Sequence, residues 1–386
     1  MLRVLVDATA LPVNRGGVGR YVDEIVGRLP GLGVDAHVAA QPRDRDAYAA
    51  QLGADHVHDT PGWAGHPAPR LGWEQTGLPL LVRRVRPDVL FCPHYTLPLA
   101  SSLGSTPKLV VTLHDATFFS DPKLHLGVKA RFFRQWTALS SRRADALIAP
   151  SEATRAEVVR HTGTDRARIT VVPHGVDHER FRPPSAADVA EVRRWLGLEA
   201  PAAYVAFLGT LEPRKNVPAL IRAYAEVCAE RPDPPALVLA GGKGWDDGVD
   251  PALAEVAERA GHLRIIRPGF VPDGLVPALL GGATLVAYPA FGEGFGLPVL
   301  EAMACGAAVL TTRGLSLAEV GGEAVCYADS PDLTDVADAL ARLLDDQAAR
   351  ERLGAAGIER AAGYTWDAAA RGHLAVFARV TAGAAR

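Results

Sequence analysis

Only four cysteines occur in 386 residues, Cys92, Cys228, Cys305 and Cys326; they stand far apart in apolar contexts, with no C-x-x-C spacing. That excludes a disulfide framework and a zinc ribbon, and it predicts buried thiols in a reducing cytoplasm. No stretch reaches the ~18 uninterrupted apolar residues of a membrane span. The opening MLRVLVDATA is strand-like and lacks the charged-then-apolar order of a secretion signal. A cytoplasmic chain is expected, at most peripheral at the inner face of the membrane. Two nucleotide signatures are also missing. G-x-x-x-x-G-K-[ST] does not occur, and Gly16, Gly17 and Gly19 fail the G-x-G-x-x-G spacing at Val22, which disfavours P-loop hydrolases and NAD enzymes. WDDGVD lacks a set of partners and no H-x-x-H pair appears, so no metal site is predicted. Internal repeats and low-complexity tracts are absent.

What is present reads as two domains of one type. Hydrophobic residues make up 48% and charged residues 22% of the chain, enough for two sizeable cores. The net charge of −3 is uneven: residues 1 to 180 carry 22 Lys+Arg against 18 Asp+Glu, and the remainder 19 against 26. The first half is therefore the one to meet an anionic surface, and no nucleic-acid partner is indicated. Its segment KARFFRQWTALSSRR mixes Lys129, Arg131, Arg134, Arg142 and Arg143 with Phe132, Phe133 and Trp136. It reads either as an interfacial helix or as a helix burying its aromatics in the first domain.

Strand-like runs alternate with helical stretches: LRVLVDA, VDAHVAA, VLFCP, KLVVTLHD, ALIAPS and ITVVP, then YVAFLGT, ALVLAGG, RIIRPG, LVAYPA and AAVLTT. This is the pattern of parallel sheets with crossover helices, an α/β class. The order restarts after VVPHGVDHERFRPP. Domains are accordingly placed at residues 1–178 and 179–365, with the linker near 174–190 and a terminal helix over 366–386. Such sheets bind ligands at the carboxyl ends of their strands.

The motifs sit where those ends fall. In FGEGFGLPVLEAMACG, Glu293 lies in a loop and Glu301 on a helix whose first turn holds Pro298. Gly294 and Gly296 let the backbone approach a ligand, although Glu301 would also suit a purely structural turn by complementing the helix dipole. In FLGTLEPRKN, Arg214 and Lys215 would suit a diphosphate or simply be solvated. Gly16, Gly17 and Gly19 are placed immediately before an amphipathic helix, where backbone amides would cradle phosphate or merely form a turn. The Gly241, Gly242 and Gly244 turn and GFVPD are candidates to line a slot for a base. His114 and Asp115 in VVTLHD, and His94 and Tyr95 in PHYTLP, close two strands of the first half. Each has a structural reading as well.

In order, G-G-V-G-R-Y, H-D, P-H-G-V-D, G-T-L-E-P-R-K-N, G-F-V-P-D and E-G-F-G-L-P-V-L-E-A-M-A-C-G resemble the family 4 retaining glycosyltransferases of GT-B fold, over nearly the whole chain. The resemblance implies two Rossmann-like doubly wound domains facing a central cleft. It implies a nucleoside-diphosphate sugar, GDP-mannose or a UDP-sugar, as co-substrate, with no metal required and a hydroxyl acceptor that is a glycan, lipid-linked or a small molecule. Glu293 would then hold donor-sugar hydroxyls with help from Gly294, Phe295, Gly296 and Leu297, and Glu301 would hold the ribose. Arg214 and Lys215 would meet the diphosphate, with Gly209 in the same loop. Gly16 and Gly17 would face the diphosphate, Gly241 and Val271 would meet the base, and His114 would lie near the transferred sugar. His94, Tyr95 and Asp115 would be on the acceptor side, and Trp366 would anchor the terminal helix. Many relatives carry Arg where this chain has Thr210. Two rivals share parts of the pattern: a GT-B sugar-nucleotide epimerase or hydrolase, and a catalytically silent partner that binds nucleotide sugar or a membrane.

Overall fold

The computed structural model describes residues 1–13, 15–103, 107–124, 127–199 and 202–382. The chain divides into two compact units, one formed by Met1–Gly175 with the segment from Trp366, the other by Val176–Thr365.

In the first unit seven strands, β1 Leu2–Asp7, β2 Val34–Ala40, β3 Val57–Asp59, β4 Val89–Cys92, β5 Lys108–Thr112, β6 Ala146–Ala149 and β7 Ile169–Val171, form a sheet of order β3-β2-β1-β4-β5-β6-β7. Every pairing is parallel. Such a sheet is covered on both faces, which is why Val4, Leu5 and Val6, or Leu90, Phe91 and Cys92, are apolar without alternation. The second unit repeats the plan with β8 Tyr204–Leu208, β9 Ala236–Ala240, β10 Ile265–Gly269, β11 Leu285–Tyr288, β12 Val309–Thr311 and β13 Cys326–Tyr327, in the order β10-β9-β8-β11-β12-β13. Strand order reverses between β1 and β4 in one sheet and between β8 and β11 in the other. Loops diverge at those points and leave room for a ligand at the strands' carboxyl ends.

Three expectations are corrected. Gly16, Gly17 and Gly19 do not precede the first helix but form its opening turn, since the helix runs Gly16–Arg28. Gly19 is buried, and a Cβ there would meet the Arg15 side chain at 2.7 Å. Cys326, at the sheet edge, is half-buried, whereas Cys92, Cys228 and Cys305 are buried. Strands β3 and β13, of three and two residues, were not among the expected runs because HVHD and VCYA present too short an apolar stretch.

The terminal helix Trp366–Ala382 packs on the first unit. Trp366 is buried there, its ring 5.8 Å from that of His174. Deeper, His373 Nδ1 donates to the Ala369 carbonyl at 2.7 Å, so its Nε2 is the acceptor that faces Tyr21 Oη at 2.6 Å. Tyr21 therefore donates to His373, and Thr112 Oγ1, 2.8 Å away, donates to Tyr21. Three elements far apart in sequence are joined by a fully satisfied buried chain, with Arg28 and Asp367 adding an ion pair at 2.7 Å nearer the surface.

In the helix Gly127–Arg143, Phe132, Phe133 and Trp136 are half-buried and Phe133 packs on Tyr95 at 4.8 Å. Among the described residues no helix is long and apolar enough to cross a membrane.

Tyr21→Phe strands the His373 acceptor in the core. A loss of about 1–3 kcal/mol is expected from the urea midpoint. An unchanged midpoint would show that the chain Thr112–Tyr21–His373 does not hold the terminal helix.

Candidate functional site

In the second unit the loops after β8 and β11, on either side of the strand-order reversal, meet in one charged cluster. Leaving β8, the chain passes Gly209 and Thr210 into the short turn Pro213–Lys215, ended by Asn216 at φ 58°. The Phe291 N–H donates to the Arg214 carbonyl at 2.9 Å, which ties this turn to the loop after β11. Glu293 is buried, at 7% exposure, with both oxygens occupied. Arg214 Nη1 donates to Oε2, Lys215 Nζ donates to Oε1, and Tyr288 Oη donates to Oε1 at 2.6 Å. Lys215 also donates to Tyr288 Oη, and Arg214 Nε donates to Glu212 at 2.8 Å. The Glu293 backbone is fixed separately: Ser316 Oγ donates to its carbonyl at 2.7 Å.

Electrostatics follow from that geometry. Burial alone would push the Glu293 carboxyl up, but Arg214 and Lys215 hold it down at about 2, so it is ionised. Lys215 moves below its ordinary range, by burial first and Arg214 second. The two partners respond unequally because two cations share one carboxylate: Glu293 gains both attractions, while each cation also feels the other. Burial and Glu293 push the Tyr288 hydroxyl well up, so it stays a neutral donor.

Around this cluster the backbone is shaped by close approaches. Gly296, at φ 98°, starts the helix Leu297–Ala304, with Pro298 in its first turn. Gly294, Phe295 and Leu297 are buried, and Phe295 packs edge-on against Tyr364 at 5.9 Å. Glu301 is 3% exposed and lies beyond the first turn. It is therefore not a solvent-facing charge at the helix start. After β9, Gly241 adopts φ 128°, and a Cβ there would sit 2.1 Å from the Gly209 carbonyl oxygen. The glycine turn is thus needed to pack one loop on the other. Val271, after β10, is buried.

In the first unit His114 follows β5, 8% exposed. Its Nε2 lies 2.7 Å from the Pro93 carbonyl, an acceptor, so the proton is on Nε2. Burial first, then His94, lowers its pKa to about 4, and the ring is neutral. Nδ1 is then a bare acceptor, buried and without a hydrogen-bond partner among the described residues, suited to a hydroxyl and unsuited to phosphate. Asp115 instead accepts from the Thr117 N–H at 2.5 Å and caps a local turn. Tyr95 is half-buried in the aromatic group with Phe118 and Phe133. His94 is buried at the β1/β4 reversal, where Nε2 is 3.2 Å from Asp7 Oδ2 and Nδ1 is 3.0 Å from Thr96 Oγ1. Asp7, Glu74 and His94 place ligand-type atoms within 4.8 Å of one another. Arg70 already supplies a cation there, 2.6 Å from Glu74 Oε2.

Residues 15–180 match the family model Glycosyltransferase Family 4, and residues 188–360 match Glycosyl transferases group 1. O-antigen chain mannosyltransferase B of Escherichia coli is 33% identical over 260 residues, 67% of this chain and 67% of that protein. The chain belongs to glycosyltransferase family 4. A further family relative, D-inositol 3-phosphate glycosyltransferase of Kribbella flavida, is 34% identical over 62% of this chain, and the match spans 57% of that protein's length. Among solved structures, Anabaena HepE in complex with UDP and glucose matches at a TM-score of 0.76 and 20% identity, covering 98% of this chain and all of that one. Sucrose-phosphate synthase from Thermosynechococcus elongatus matches at 0.76 and 18%, covering 99% and 100%. Those likenesses establish the GT-B fold. Sequence reasoning missed three residues of this family 4 protein's cluster, Glu212, Tyr288 and Ser316; only Tyr288, last in its strand, carries a positional signal.

Glu293→Gln leaves Arg214 and Lys215 without their shared partner, and a loss of about 3–5 kcal/mol near neutral pH is expected. Because the folded carboxyl lies at about 2 against an ordinary 4.5, the unfolded chain takes up the proton first. The stabilisation is full above about pH 4.5 and is lost as pH falls toward 2. Melting temperature against pH should therefore show an acid limb in the wild type that flattens in the variant. Parallel curves would contradict this role for Glu293.

Proposed function

We propose that this chain transfers a hexose, mannose before glucose, from a nucleoside-diphosphate donor to a hydroxyl acceptor with retention of anomeric configuration. The observation that carries the proposal is the Glu293 carboxylate clamped by Arg214 and Lys215 at the strand-order reversal of the second sheet. When the bond from the anomeric carbon to the phosphate oxygen breaks, the sugar becomes oxocarbenium-like and the diphosphate gains negative charge. Fixed cations at those oxygens stabilise the change. Arg214 and Lys215 take that role without a metal. As they turn to phosphate, Glu293 exchanges them for hydroxyls of the donor sugar.

The acceptor oxygen attacks from the face the phosphate leaves, and its proton passes to the departing phosphate oxygen. Neither Glu293 nor Glu301 then acts as the nucleophile or acid of a retaining glycosidase. Buried Glu301 suits the vicinal hydroxyls of a ribose, and His114 Nδ1 accepts from a sugar hydroxyl. The name of the Escherichia coli relative favours mannose, while the UDP complex of HepE keeps a UDP-sugar as the second donor to test. Lys129, Arg131, Arg142 and Arg143, exposed on the helix Gly127–Arg143, support an acceptor linked to lipid at an anionic surface.

Incubation with GDP-mannose or UDP-glucose and a panel of lipid-linked, glycan and small-molecule acceptors, with the product followed by NMR, tests the reaction. Transfer with an α-linked product in excess chelator is expected. An inverted product, or transfer only after adding manganese or magnesium, would overturn the respective part, and sugar release or epimerisation from donor alone would favour the hydrolase or epimerase class. Glu301→Ala should weaken donor and free nucleoside diphosphate alike by about 10–100-fold, the worth of a charged hydrogen bond. Loss confined to the intact donor would remove Glu301 from the ribose.

A further inference from the structure

On the outer side of the first sheet, away from the strand-order reversal, a second group of chemistry-bearing residues converges. Asp35 and His37 are two apart on β2 and so share one face of it. His56 ends the turn Ala54–His56, and His58 stands on β3 with Ala39 as its register partner. His56 Nε2 lies 3.2 Å and His37 Nε2 3.4 Å from the same oxygen, Asp35 Oδ1. The three ligand-type atoms lie within 4.8 Å of one another.

We propose that Asp35, His37 and His56 form a mononuclear site for a borderline divalent cation of the zinc type, with water completing a tetrahedron. Bonds of about 2.0–2.2 Å to nitrogen and oxygen set tetrahedral edges of about 3.3–3.6 Å, close to the two separations observed. Two imidazoles and one carboxylate are a donor set that zinc accepts and that magnesium and calcium do not favour.

The surroundings fit an ion better than a chance meeting. Arg3 Nε donates to the other carboxylate oxygen, Oδ2, at 2.6 Å, which leaves Oδ1 directed at the histidines. His37 Nδ1 lies 3.1 Å from His58 Nε2. When His58 accepts from His37 Nδ1–H, His37 Nε2 is the bare nitrogen directed at Asp35 Oδ1. That bond fixes the tautomer that presents a bare Nε2 toward Asp35, as an outer partner of a metal ligand does. His56 is the most exposed of the three, its side chain 39% accessible against 18% for Asp35 and 15% for His37, which gives an ion a way in. An ion here would brace the Ala54–His56 turn and the short edge strand β3 against β2. Its role is structural and separate from sugar transfer.

The pattern D-x-H followed by H-x-H is visible in VDAHV and DHVHD. Neither half is a metal motif alone, and only the parallel pairing of β2 with β3 unites them.

The test uses the full-length, tag-free chain, stripped with chelator and dialysed, then titrated with zinc chloride by calorimetry. One strong site per chain is expected, with a rise in melting temperature, and cobalt in place of zinc should give the visible absorption of a tetrahedral ion. His37→Ala/His56→Ala should bind at least about 100-fold more weakly, and His58→Ala about 10-fold more weakly. His56→Ala alone, at the exposed turn, repeats the test should the double variant fail to fold. Absence of a strong site in the wild type would overturn the proposal. So would unchanged zinc affinity in folded His56→Ala or in the double variant, which would move the ion elsewhere, for example to Asp7, Glu74 and His94.

Discussion

A single buried carboxylate shared by two cations organises the carboxyl edge of the second sheet. Without Glu293, Arg214 and Lys215 would face each other in a poorly solvated pocket and repel; without them, Glu293 would be neutral. Glu293 is ionised because the two cations are there, and it offsets part of their mutual repulsion. Burying such a group is weak as a source of stability, since the cost of leaving water offsets most of the attraction. In the proposed reaction its value lies in poise: the same three charges that satisfy one another in the free protein have the signs that would receive a diphosphate and the hydroxyls of a sugar.

The fold makes that arrangement possible at one place. Arg214 and Lys215 leave β8 and Glu293 follows β11, strands that are neighbours although about 80 residues separate the loops. Only at the reversal of strand order do two adjacent loops turn to opposite sides and open a space. Side chains then finish what topology starts: the Phe291 amide on the Arg214 carbonyl sets the distance between the loops, and Ser316 fixes the Glu293 backbone from β12's side. The first unit uses its own reversal differently. There Asp7, Arg70, Glu74 and His94 form a buried network, and among the described residues the nearby His114 Nδ1 is a buried acceptor with no hydrogen-bond partner.

Much of this was legible in the chain. Apolar β-branched runs marked eleven of the thirteen strands, because a parallel strand covered on both faces needs no alternation. The two missed, β3 and β13, are edge strands whose pairing, not their composition, makes them strands. Glu293 and Glu301 stood out by spacing around glycines, and Arg214 and Lys215 by following a strand. What the sequence could not tell was that Glu293, Arg214 and Lys215 do not act as separate sites. Glu293 and the two cations grip one another before any ligand arrives, a fact of side-chain geometry across distant segments. For the same reason Tyr288 and Glu212 went unnoticed, one reading as the end of a strand and the other as an ordinary surface acid. The glycines at Gly16 and Gly19 misled in the opposite direction, since they open a helix instead of preceding it.

In the proposed reaction, diphosphate and Glu293 compete for Arg214 and Lys215 until a sugar hydroxyl takes over the carboxylate. Free nucleoside diphosphate offers the competition without the sugar. Its affinity should be measured calorimetrically for the wild type and for Glu293→Gln, each shown to be folded by its melting transition, at one ionic strength. Removing the competing charge should tighten the diphosphate by about 10-fold, or ~1.4 kcal/mol. Equal or weaker binding in the variant would mean that the two cations are not released to phosphate, and the account of the clamp would fail.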